Sequence, residues 1–97
     1  MTDSYAFTAA VYEWPARKNW FFVSLPEHAS GEIADTPRAP SGFGAVRVRA
    51  KIGDSEWTTS IFPGAAREYS LPLKQSVRDS ECIAPGDLIA VEIELLD

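Results

Sequence analysis

Residues 57 to 93 most constrain what this chain can fold into. A strand-like run, Trp57-Thr-Thr-Ser-Ile-Phe-Pro63, leads into a second, Glu68-Tyr-Ser-Leu-Pro-Leu73. A short charged segment, Lys74-Gln-Ser-Val-Arg78, comes next, followed by a turn at Pro85-Gly86-Asp87 and the strictly alternating Leu88-Ile-Ala-Val-Glu-Ile93. Strand, strand, short helix, Gly-Asp turn and strand, in that order, predict a small β-barrel. Gly86 can adopt a positive φ that other residues resist, and the Asp87 carboxylate can hold backbone N–H groups across the turn. Neither residue is placed like a catalyst, so the segment speaks to architecture far more than to chemistry.

The rest of the chain has the same grain. Tyr5 to Trp14 reads as a strand, with Phe7, Ala9 and Val11 opposite Ala6, Thr8, Ala10 and Tyr12. After the loop Pro15-Ala-Arg-Lys-Asn19, the segment Trp20 to Leu25 returns as a second strand with apolar groups on both faces, which predicts that both are covered. Pro26 to Ala34 favours a short helix, with Pro at its start, Glu27 near the positive end of the dipole and Ile33 inward. Residues 35 to 44 hold Pro37, Pro40, Gly42 and Gly44 and read as a loop. Ala45 to Ile52 sets Val46, Val48 and Ile52 against Arg47, Arg49 and Lys51. A turn at Gly53-Asp54 then joins it to Glu56 to Phe62. The expected fold is all-β with minor α: one domain over residues 1–97, a small closed barrel of about six strands with two short helices.

At 97 residues the chain is one domain's worth of sequence. Fourteen acidic against nine basic residues give a net charge of −5. That repels polyphosphate and counts against nucleic acid or an anionic membrane, unless the cations are segregated onto one face. Cys82 is the single cysteine, which excludes an intramolecular disulfide. The N-terminal residues lack the basic-then-apolar pattern of a signal peptide, and no apolar run approaches the ~20 residues of a membrane span. The expected location is the cytoplasm.

Trp20-Phe-Phe-Val-Ser-Leu-Pro26, Val46-x-Val-x-Ala-x-Ile-Gly53, Ser60-Ile-Phe-Pro63, and Tyr69-x-Leu-x-Leu-Lys74 through Val77-Arg78 to Gly86-Asp87 together span nearly the whole chain. In order and spacing they resemble a bacterial domain family of unknown function. The resemblance implies a double-split β-barrel, an architecture shared with the AbrB-type swapped-hairpin proteins. In other members the domain is often followed by a YdeI/OmpD-associated helical domain. These 97 residues do not contain one, so nothing that depends on it carries over. The resemblance supplies a fold and no established activity.

The candidate binding residues are Lys74 and Arg78, spaced i,i+4 and so on one face of a short helix. Like charges there cost about 0.2–0.5 kcal/mol, which a phosphate, a carboxylate or a partner's acidic patch would offset. Ser60, Arg67 and Tyr69 lie on the strands just before and can add donors to the same rim. The competing expectation is that Lys74 and Arg78 pair in solvent with Glu68, Asp79 or Glu81, a contact worth little. Arg47, Arg49 and Lys51 form a basic ladder, for which Glu92 and Glu94 offer an acidic match across the sheet. His28 has no nucleophile or carboxylate spaced to activate it and is expected exposed near a helix start. Cys82, beside Glu81, is expected half-buried at a helix end. No metal-ligand cluster, phosphate loop or nucleophile elbow is present in the sequence, and no cofactor is expected. Trp14, Trp20, Phe21, Phe22, Trp57 and Phe62 are many aromatics for so small a core. Some line a pocket or a self-association surface, or the 35–44 loop covers them; the sequence leaves both open.

The function expected from these residues is a non-enzymatic binding or protein-interaction module with a small anionic ligand or a protein as partner, and a homodimer remains open. DNA binding by analogy with the AbrB-type barrels is one competitor. An enzyme acting on a small anionic substrate, for which the sequence offers no acid–base pair, is the other.

Overall fold

The computed structural model describes residues 4–15, 18–35, 44–64 and 68–96. Seven strands and two helices follow one another along the chain: β1 (Ser4–Ala10), β2 (Tyr12–Glu13), β3 (Phe21–Ser24), α1 (Glu27–Asp35), β4 (Val46–Ile52), β5 (Ser55–Pro63), β6 (Tyr69–Leu73), α2 (Gln75–Ser80) and β7 (Leu88–Leu95). All strand pairs are antiparallel, in the order β1-β7-β4-β5-β6-β3-β2. Strand β5 serves both halves of this curled sheet: Ser55 to Ile61 pair with β4, while Phe62 and Pro63 pair with β6.

Period-2 patterning decides the inside. Val46, Val48, Ala50 and Ile52 on β4 are buried, as are Val91, Ile93 and Leu95 on β7, while Arg47, Arg49, Lys51, Glu92 and Glu94 face out. A one-residue slip would bury the charged set, so the register is strongly specified. Leu25, Ile33, Ile61 and Leu71 complete a single continuous core. Helix α1 is joined to the sheet by one buried hydroxyl. Ser30 Oγ accepts the Tyr69 N–H at 3.0 Å, and the neighbouring Leu25 N–H donates to the Tyr69 carbonyl at 2.9 Å.

Several expectations need correction. The sheet has seven strands, not six, and its ladder does not close. The run expected as one strand from Tyr5 to Trp14 breaks at Val11. There the backbone leaves the ladder to bond the turn after α2, with Val11 N–H to the Asp87 carbonyl at 2.9 Å and Gly86 N–H to the Val11 carbonyl at 2.7 Å. The two segments so formed, β1 and β2, are the two ends of the strand order. The result is a curled half-barrel. Gly86 has φ +91°, and the Asp87 carboxylate accepts the Ala84 N–H at 2.9 Å, as the turn chemistry predicts. Cys82 is exposed rather than half-buried, with φ +53°, where the chain leaves α2. No helix among the described residues is long and apolar enough to cross a membrane.

Candidate functional site

The outer face of the curled sheet changes character along its length. Over β1, β7, β4 and the first part of β5 it is a charge ladder. Arg49 lies opposite Glu94 and bonds it at 2.7 Å, with Glu56 at 3.7 Å on its other side, and Lys51 lies opposite both Glu56 and Glu92. The side chains of Arg49 and its two partners are about half exposed, which makes each contact worth about 0–1 kcal/mol. The shallow depression above them, about 410 Å³, holds carboxylates and cations together, so its charge is largely self-compensated.

Over β2, β3 and β6 the outer face is aromatic. Antiparallel register sets Tyr12 against Phe22 and Phe22 against Pro72 in one row, with Ser24, Ser70 and Phe62 in the next. Trp14 and Trp20 are tied at the hairpin end by a 2.7 Å backbone hydrogen bond. Their rings lie 5.7 Å apart, and Phe22 sits 6.0–6.3 Å from Tyr12, Trp14 and Trp20. Such spacings favour mutual attraction of the rings, yet Tyr12, Trp14, Trp20 and Phe62 remain 37–44% exposed. The expectation that both faces of the β2–β3 hairpin are covered therefore fails for its outer face among the described residues. These rings, with Trp57, Thr58, Thr59, Ser70 and the segment 72–78, line an open groove of about 1070 Å³.

Lys74 and Arg78 both line this groove, as does Lys18. Neither Lys74 nor Arg78 makes an ion pair with Glu68, Asp79 or Glu81 among the described residues; the Glu81 carboxylate instead accepts the Ser55 hydroxyl at 2.7 Å. Arg78 is committed to the scaffold. Its Nε donates to the Leu73 carbonyl at 3.1 Å, a terminal nitrogen donates to the Asn19 carbonyl at 3.4 Å, and the guanidinium lies 4.3 Å from the Phe21 ring centroid. A cation over an aromatic face with two carbonyl acceptors is a positioning device: it holds the 18–19 turn against α2. Lys74, the residue before α2, is exposed; its carbonyl accepts the Val77 and Arg78 N–H groups, and its side chain makes no hydrogen bond or ion pair among the described residues.

The other sequence candidates fall elsewhere. Tyr69 is buried in the core, and Ser60 lies opposite Arg47 on β5, outside the groove lining. Arg67 lies outside the described residues. His28 is exposed, as expected, on the first turn of α1. Among the described residues no group of three or more His, Cys, Asp or Glu side chains gathers as a metal site.

Tyr12, Lys18, Thr58, Thr59 and Ser70 were not picked out by sequence reasoning. One signal was present: Tyr12-x-Trp14 and Trp20-x-Phe22 flank a single hairpin. Period-2 alternation puts all four rings on one face once the hairpin pairs.

Charge is unevenly shared between the two outer faces. Among the described residues that line the groove there is no Asp or Glu, although the chain carries fourteen of them, and three cations are present. The groove is therefore a locally cationic, aromatic surface on an acidic protein. Its described lining holds no carboxylate, imidazole or thiol, the groups that most often move protons or attack substrates.

No curated protein matches the chain. The sequence profile of a domain of unknown function, DUF1905, matches residues 7–93, from the second half of β1 into β7. The match takes in every element that builds the groove, and the chain belongs to the DUF1905 family.

Proposed function

We propose that the protein is a non-catalytic binding module whose aromatic groove takes a ligand that combines a flat apolar face with an anionic group. The observation that carries this reading is the coincidence of exposed rings and cations in one groove whose described lining holds no carboxylate. Exposed aromatic surface held between polar margins is the common signature of a binding site. Lys74 supplies a cation free to pair, while Arg78 holds the margin in place. Twofold self-association through the same groove would set cations against cations, which disfavours a second copy as its occupant. The reading takes the module to be cytoplasmic and gives the curled sheet the double-split arrangement of the family it resembles.

The chain has three tryptophans, and Trp14, Trp20 and Trp57 all line the groove. Intrinsic fluorescence therefore reports directly on occupancy. Naphthalene-2-sulfonate and indole-3-carboxylate at low ionic strength are expected to change the emission saturably. Inorganic phosphate and uncharged naphthalene are expected to bind more weakly than either. Lys74→Ala should weaken the aromatic anions and leave the uncharged ring unaffected. Absence of any saturable change, or equal affinity for charged and uncharged rings, would remove the reading.

A further inference from the structure

We infer that the groove is a binding surface for single-stranded nucleic acid, with unpaired bases lying on the aromatic face and phosphates following the cationic margin. This rests on the reading above and names its ligand class. Three features of the groove point to it. The first is shape. At about 1070 Å³ the groove reaches the upper limit of the ~300–1,000 Å³ typical of a single small ligand, and it is open at the surface, as a site for a chain-like ligand must be.

The second is chemistry. Sheet-borne aromatic rings accept any base by stacking, because every base presents a π-face. Trp14 and Trp20 have centroids 5.7 Å apart with their planes tilted by 31°, and each is more than two-fifths exposed.

The third is the arrangement of charge. Lys74 and Arg78 are one helical turn apart, and Arg78 reaches the Asn19 carbonyl beside Lys18. The three described cations of the lining thus come from two segments that Arg78 ties together, the 18–19 turn and the start of α2. A phosphodiester backbone requires cations next to the stacking surface. The net charge of −5 argues against nucleic acid only while the cations stay mixed with carboxylates; no described residue lining this groove is acidic, although the Glu13 carboxylate accepts the Asn19 N–H at 2.9 Å beside Lys18. In the charge ladder over β4 and β7, Arg49 is engaged by Glu94 and Glu56, and Lys51 lies opposite Glu56 and Glu92.

The test uses the whole chain and fluorescently labelled single-stranded RNA and DNA of mixed sequence. Strands of about eight nucleotides fall within the site sizes of known single-strand binders. Anisotropy and tryptophan quenching should both saturate, with the duplex of the same sequence bound more weakly. The logarithm of affinity should fall with the logarithm of salt at a slope of about −1.4 to −2.1, corresponding to two or three phosphates neutralised. Trp20→Ala should weaken binding by about 5- to 150-fold, the loss expected for one stacked base. Lys74→Ala should reduce the slope by about 0.7 with an unchanged melting temperature, so the result stands even if Trp20→Ala folds poorly. Equal binding of duplex, of inorganic polyphosphate, of adenosine monophosphate or of polyglutamate would overturn the inference, as would indifference to both substitutions. If aromatic anions bind and single strands do not, the inference falls and the broader reading survives. If neither binds, both fall.

Discussion

Gly53→Ala isolates one contact between the β4–β5 turn and the chain leaving α2. Gly53 has φ +57°, the left-handed region, where a Cβ costs about 1–2 kcal/mol. A Cβ built there would also lie 2.8 Å from the Glu81 carboxyl carbon and closer still to its Oε1. The carboxylate would have to swing away and would weaken the 2.7 Å bond it accepts from Ser55 Oγ. A hydrogen bond to a charged group contributes about 1.5–3 kcal/mol; its partial exposure brings the share at risk here to about 1 kcal/mol. Loss of unfolded-state entropy on replacing Gly returns about 0.4–1 kcal/mol. The net expectation is a destabilisation of about 1.5–2 kcal/mol. For a domain of this size that lowers the melting temperature by roughly 6–16 °C. Urea melts of wild type, Gly53→Ala, Glu81→Ala and the double variant form a cycle that separates the two causes. In the Glu81→Ala background the contact penalty disappears and only the backbone cost of about 1 kcal/mol should remain. If Gly53→Ala costs the same in both backgrounds, the Glu81 contact contributes nothing. If it costs nothing in either, the turn is not left-handed.

Further outcomes follow from the same geometry. Ser30→Ala strands the buried Tyr69 N–H and should cost about 1–3 kcal/mol in a chemical melt; a loss under 0.5 kcal/mol would mean another acceptor replaces the hydroxyl. Arg78→Ala removes two carbonyl contacts and the stacking on Phe21, and should destabilise by about 1–3 kcal/mol. Lys74→Ala should stay within about 0.5 kcal/mol of wild type, and equal losses for the two would contradict the division of roles between them. Asp87→Ala should cost about 1 kcal/mol, because the Ala84 N–H it releases is exposed and can turn to water.

Much of this architecture was legible in the residues. Alternation in Val46 to Ile52 and Leu88 to Ile93 determined which side chains enter the core, because a strand has only two faces and one is closed to charge. Pro85-Gly86-Asp87 determined a turn with positive φ, and Lys74 to Arg78 a short helix, since both rest on contacts a few residues apart. The opposition of Arg49 to Glu94 was likewise legible as matching ladders. What the tertiary structure alone decided is non-local. The break at Val11 depends on a carbonyl from residue 87. The diversion of Arg78 into the scaffold depends on the Asn19 carbonyl and the Phe21 ring, fifty-nine and fifty-seven positions away. Ser60 and Tyr69, near Lys74 in sequence, are sent away from it by strand pairing and burial. The aromatic groove exists because β5 passes from one half of the sheet to the other and brings Phe62 beside the Tyr12–Phe22 row. Local periodicity can say that a ring faces outward; only the order of the strands says which other rings and cations share that outer surface.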